Sequence, residues 1–142
     1  MEKMTSPSPL SIVHEFHTTI RESDLDTFGH VNNAAYLVIL ENARWEIISS
    51  RGYGLSKIKE TGAGPTILEI RMQFRREICN RDTILIRSWV SEIKRMTMTL
   101  RQVMINARDE EACVVDFVFG LFDTRSRKLI EPSPEWKYRS EE

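Results

Sequence analysis

Asp26, His30, Asn32 and Asn33 stand close together in the segment Glu22-Ser-Asp-Leu-Asp26-Thr-Phe-Gly-His30-Val-Asn-Asn33-Ala-Ala-Tyr36. A carboxylate, an imidazole and two amides just ahead of an apolar helical pattern are parts from which an acyl-transfer site can be built. The first turn of a helix offers backbone N–H groups without partners and about half a positive charge, so it can polarise a carbonyl and hold an oxyanion. A carboxylate a few residues upstream can attack the same carbonyl carbon or align a water against it. Gly29 permits a tight turn between the two, and Asn32 or Asn33 would cap the helix. The ordinary use of Asp24, Asp26 and the asparagines is in turns and caps, so spacing by itself leaves both readings open.

The elements that must hold these groups follow from periodicity. A first strand is expected over about 12–21, where Phe16, Thr18 and Ile20 alternate with His17, Thr19 and Arg21. From about Asn32, residues Tyr36, Ile39, Leu40, Ala43 and Ile47 follow the spacing of a buried helical stripe, widened by Leu37, Val38 and Trp45. Gly52 and Gly54 end the helix, and a loop with Gly62 and Gly64 follows. The period then becomes two, with Leu68, Ile70, Met72, Phe74 and Ile78 on one face of a strand. Strands at about 82–92, 95–106 and 111–123 complete the set, the last apolar on both faces and hence central. Short connections suggest that these four strands are antiparallel neighbours, with the helix on their apolar face. The tail from Glu131 to Glu142 is expected to pack as an extended segment or short helix.

The 142 residues suit one domain, 12–142, behind a proline-bearing lead at 1–11 that is expected to be disordered. A net charge of −1 supplies no global field for nucleic acid or an anionic membrane. Arg71 to Arg101 nevertheless holds eight basic residues against three acidic ones, either the solvated faces of strands or a local anion site. Two cysteines, Cys79 and Cys113, form no metal-binding cluster, no signal-peptide pattern opens the chain, and no apolar run is long enough to span a bilayer. A reducing cytoplasm is therefore the expected location, with no nucleic-acid or membrane partner.

The string Asp26-Thr-Phe-Gly-His-Val-Asn-Asn-Ala-Ala-Tyr36, with Glu41-Asn-Ala-Arg44 behind it, resembles the signature of hotdog-fold thioesterases of the 4-hydroxybenzoyl-CoA thioesterase type. It is most similar to the bacterial acyl-CoA thioesterase branch and to plant acyl-ACP thioesterases. The resemblance implies an α+β hotdog fold, an antiparallel five-stranded sheet wrapped around one long central helix. It implies hydrolysis of acyl-CoA to free acid and CoA, with Asp26 as nucleophile or general base and the backbone amide at Asn33 as oxyanion donor. His30 and Asn32 match polar positions that act in the acyl-ACP branch and are apolar elsewhere, so His30 is the weaker candidate. Glu41 sits where some branches use a helix carboxylate, although its ordinary role would be an ion pair with Arg44 or Arg101.

Tyr36 is expected in the core and the pocket wall. Arg75, Arg76, Lys94 and Arg95 are the candidates for the CoA phosphates. No metal or organic cofactor is implied, CoA entering only as part of the substrate, and self-association to a dimer or tetramer is. An acyl-ACP thioesterase and a non-catalytic acyl-thioester binder are the alternatives.

Overall fold

The computed structural model describes residues 12–133 and Trp136. The expected lead at 1–11 and most of the tail after 133 lie outside the described residues. The order of elements is β1 (His14–Thr19), α1 (Asn33–Ser50), α2 (Leu55–Thr61), β2 (Ala63–Phe74), β3 (Thr83–Ile93), β4 (Thr97–Ile105), β5 (Glu111–Asp123) and β6 (Lys128–Ile130). One antiparallel sheet runs β1-β3-β4-β5-β2, and β6 pairs with the end of β5. The five expected strands are all present. The three-residue β6 joins them as a sixth, taking the side of β5 that β4 vacates beyond Gly120.

One expectation about neighbours is corrected. β3, β4 and β5 are consecutive hairpin partners, but β2 pairs with β5 rather than with β3. Residues 75–82 make the crossing, with Arg75 N and Arg76 N both donating to Ala112 O and Asp82 N donating to Cys79 O. Three strand spacings amount to roughly 14 Å, which eight residues span without strain. β2 also begins five residues earlier than alternation suggested, at Ala63, and ends at Phe74. A bulge between Ile67 and Glu69 sets Ile67, Ile70, Met72 and Phe74 opposite Phe119, Phe117, Val115 and Cys113, so Leu68 leaves the face it was assigned.

α1 is 18 residues long, about 27 Å at 1.5 Å per residue. Its Tyr36, Ile39, Leu40 and Ala43 are buried in one cluster with Ile84, Ile86, Met104, Val115 and Phe117 of the sheet. Val38, expected to widen the stripe, is 58% exposed, and Ile47 is only half-buried because it borders a cavity. One polar side chain sits in this contact. Gln102 of β4 is fully buried, donates to Leu40 O (3.3 Å) and Ser88 Oγ (3.0 Å), and accepts from Arg44 Nη1 at 3.1 Å.

α2 was not legible, since only Leu55 and Ile58 are apolar in its seven residues. It closes on Gly62, whose φ of +76° only glycine takes without strain. β2 is left as an edge strand with Leu68, Ile70 and Phe74 each 44–54% exposed. Among the described residues no further strand pairs with this apolar edge.

Candidate active site

Residues 21–32 form a closed loop whose own amides hold the acidic side chains. Asp24 Oδ2 accepts from Arg21 N at 2.9 Å. Asp26 Oδ1 accepts from both Phe28 N (2.9 Å) and His30 N (3.0 Å), while Asp26 N donates to His30 O at 2.8 Å. Gly29 turns the chain with φ of +80°, and a bridge between Leu25 and Val31 closes the base. The two carboxylates thus differ. Asp24 caps a short turn, whereas Asp26 is fixed through one oxygen, and among the described residues no hydrogen bond reaches its Oδ2.

The loop is tied to the start of α1 by Asn32 N donating to Asp24 O at 2.9 Å. Asn32 is the N-cap, its Oδ1 accepting from Ala34 N at 2.8 Å. Ala35 N and Tyr36 N donate to Asn32 O at 2.9 and 3.3 Å. Of the four amides that open the helix, this leaves the N–H of Asn33 as the one with no acceptor among the described residues. A fixed carboxylate with one open oxygen therefore sits in a loop anchored to a helix start with one open donor. Such an arrangement can place a base or nucleophile and an oxyanion donor around one carbonyl.

The other candidates divide. His30 is exposed and contributes its backbone, not its ring, to the bonds that shape the loop. Tyr36 is buried, stacks edge-on against Phe74 at 5.0 Å, and burial pushes its hydroxyl pKa up. Arg75 and Arg76 follow β2 at the end of the sheet nearest the start of α1, with Glu111 at 3.4 Å and Glu110 at 3.6 Å respectively. Lys94 and Arg95 lie in the β3–β4 turn, beyond the opposite end of β4, and Lys94 has Glu92 at 3.7 Å. The nine residues of β4 put roughly 26 Å between those ends. Within one chain the four basic residues cannot hold one ligand.

Glu41 departs from its expected ion pair. Arg101 makes a two-pronged pair with Asp116, both contacts at 2.8 Å, and Glu41 Oε1 instead accepts from the Trp45 indole at 3.3 Å. Arg44 turns to Gln102 and lies 4.1 Å over the Phe117 ring. Sequence reading missed the role of this helix face. Beside it is a cavity of about 460 Å³, bordered by Arg44, Trp45, Ile48 and Arg51 of α1 and by Leu100 and Phe119 of the sheet. Glu41, Arg44, Ile48 and Arg51 already followed the three-and-four spacing of one helix side. None of Asp26, His30, Asn32, Asn33 or Tyr36 borders this cavity.

Comparison with known proteins agrees with this architecture. The chain is 29% identical over 82 residues to the acyl-acyl carrier protein thioesterase ATL3 of Arabidopsis thaliana, covering 58% of this chain and 43% of that one. It thus spans less than half the length of that plant protein. It is 26% identical over 125 residues to the long-chain acyl-CoA thioesterase FadM of Escherichia coli, covering 87% and 93%. The Staphylococcus aureus protein SAV2348, solved in complex with CoA, superposes with a TM-score of 0.84 at 13% identity, covering 94% of this chain and 85% of that one. The sheet wrapped around one long helix is the hotdog fold. Residues 20–139 match the thioesterase-like superfamily, and the chain belongs to that family.

Proposed function

We propose that the chain hydrolyses acyl-CoA thioesters to free acid and CoA. The observation that carries this reading is the pairing just described: the Asp26 carboxylate, fixed through Oδ1, in a loop bonded to a helix start whose Asn33 N–H lacks an acceptor. Asp26 Oδ2 takes a proton from the attacking water, or attacks the thioester carbon itself to give a mixed anhydride that water then hydrolyses, freeing the acid and the Asp26 carboxylate. The oxyanion that forms is held by Asn33 N–H, a donor of the kind worth about 2.7–4 kcal/mol of barrier. The C–S bond then breaks, sulfur keeps the electron pair, and the proton passes to the thiolate. The net change is water added across one bond, with no metal or organic cofactor needed. Asn32 acts by capping the helix, His30 by shaping the loop, and Tyr36 by walling the site from within.

Arg75 and Arg76, at the active-site end, are the candidates for the CoA phosphates; Lys94 and Arg95 are too distant within one chain to share that task. The exposed apolar edge of β2 supports self-association through that strand, since a long unpaired apolar edge invites a second copy. A dimer joined there would bring the partner's sheet next to Phe74 and hence to the start of α1.

The test is a thiol-release assay over CoA esters from acetyl to palmitoyl, with aromatic esters included. Turnover on a subset of these supports the reading. The likeness to ATL3 favours acyl-ACP as the second reading, and cleavage of acyl-ACP alone would establish it. Binding without turnover on either carrier would make the chain a non-catalytic acyl-thioester binder.

A further inference from the structure

We propose that the cavity beside the C-terminal half of α1 is a binding site for an amphipathic carboxylate, its anion taken by Arg44 with Arg51 adding a second positive charge. The site lies apart from Asp26. Arg44 is eleven residues along α1 from Asn33, about 16 Å at the helical rise. The inference therefore does not depend on the hydrolase reading.

Size and lining come first. About 460 Å³ falls within the roughly 300–1,000 Å³ of small-molecule sites. Most of the wall is apolar, with Trp45, Ile48, Leu100 and Phe119 among its members, and it suits a hydrocarbon or aryl group.

The charges then restrict the ligand. Arg81, Arg101 and Arg108 each hold a carboxylate at 3.1 Å or closer. Arg44 and Arg51 have none within 4 Å among the described residues. Arg44 has the neutral oxygen of Gln102 and the face of Phe117, and burial pushes its pKa down against the opposing pull of Glu41. Arg51 has only the His14 ring, 3.4 Å from its Nη2. Burial, reinforced by Arg51, holds that ring below its ordinary pKa, so it adds little positive charge of its own.

A part-buried guanidinium without a carboxylate bears a desolvation cost that neutral partners offset only in part. An incoming carboxylate supplies the missing charge-assisted bonds in a geometry that matches the guanidinium fork. Glu41 borders the same cavity, but its Oε1 is held by the Trp45 indole and it lies within 4 Å of neither guanidinium among the described residues. Two cations against one carboxylate, inside mostly apolar walls, describe a ligand with one anionic head and a hydrocarbon body. Neither a neutral lipid nor a free phosphate meets both demands.

The test titrates the delipidated full-length protein with dodecanoate, dodecanol and dodecyltrimethylammonium. It follows tryptophan fluorescence, for which Trp45 and Trp136 on the wall are reporters, alongside calorimetry. Dodecanoate is expected to bind at least about tenfold more tightly than dodecanol, and the cation more weakly than either. Arg51→Met should remove part of that preference and Arg44→Met most of it, while Asp26→Asn leaves the dissociation constant unchanged. Should Arg44→Met fail to fold, the acid-to-alcohol ratio on the unmodified protein still decides. Equal affinity for acid and alcohol would overturn the proposal. So would loss of binding in Asp26→Asn with none in Arg51→Met, since the ligand would then sit at the active site.

Discussion

Asp26→Asn and Asp26→Ala separate what Asp26 does for the loop from what it does for chemistry. In the loop, Oδ1 accepts from Phe28 N and His30 N. Asparagine keeps an oxygen at that position, so both bonds survive, and stability should stay within about 0.5 kcal/mol of the parent. Alanine removes both bonds. By analogy with the loss of a helix N-cap, that costs about 0.5–2 kcal/mol, and exposure of the loop favours the lower half of the range. In the proposed mechanism the chemistry resides on Oδ2, which asparagine replaces with an NH₂ that can neither attack nor accept a proton. Removing a general base or nucleophile costs on the order of 10²–10⁴ in rate, about 2.7–5.4 kcal/mol of barrier at 1.36 kcal/mol per tenfold. Both variants should therefore lose kcat together, while only alanine loses stability. Thiol release read beside urea unfolding checks this. If Asp26→Asn retained turnover within a few-fold of the parent, Asp26 would be a turn residue only. A larger loss in His30→Ala than in Asp26→Asn would move the chemistry to the imidazole.

Other outcomes follow from the same geometry. Light scattering at micromolar concentration should report at least a dimer. Ile70→Lys on the exposed edge of β2 should shift it to monomer and reduce activity together; a monomeric, fully active parent would refute both. Arg76→Ala should raise KM for acyl-CoA several-fold and leave the same acyl group on N-acetylcysteamine nearly unchanged, whereas Lys94→Ala and Arg95→Ala, at the far end of β4, should alter neither. Equal losses on both substrates would return Arg76 to an ordinary surface role. His14 has its pKa lowered from 6.5 by burial and by Arg51. Between the folded and unfolded values the unfolded chain binds more protons, so this contribution to stability is complete above about pH 6.5 and is lost as the pH falls below it. Urea midpoints measured from about pH 7.5 to about pH 5 should show a drop that His14→Gln reduces; an unchanged slope would show that the ring is not the titrating group.

Much of the fold was legible because the signals were long and periodic. The buried stripe of α1 and the alternation in β3 and β4 specify their faces directly. Pairing was less legible, since a strand's partners depend on where its connection leads and not on its own side chains. Residues 75–82 contain no feature that distinguishes a hairpin from a crossing. The Leu68 bulge likewise left no mark in an apolar run, Ile67-Leu68, where either residue could face inward. In the candidate site, the types and spacing of Asp26, Gly29 and Asn32 conveyed their local arrangement because the bonds that shape the loop and the cap are local. The cavity was hidden for the opposite reason. Its arginines share a helix face that also carries core residues, and only the sheet opposite determines which of them lack an acid.

Gln102 has a mechanical consequence. Apolar contact is non-directional, so an oily helix-on-sheet joint tolerates small axial slippage. The Gln102 amide instead addresses one particular carbonyl, that of Leu40. Sliding α1 along its axis by one residue's rise, without turning, would carry that carbonyl about 1.5 Å away from its 3.3 Å contact. Gln102 thus works as a detent that sets where the helix stops along the sheet. Asn33 rides on the same rigid rod, seven positions upstream, so the detent also sets how far its amide stands from the loop that carries Asp26. Exchanging Gln102 for methionine would fill nearly the same volume, yet release the catch that sets how Asn33 stands relative to Asp26, the two groups proposed to act together.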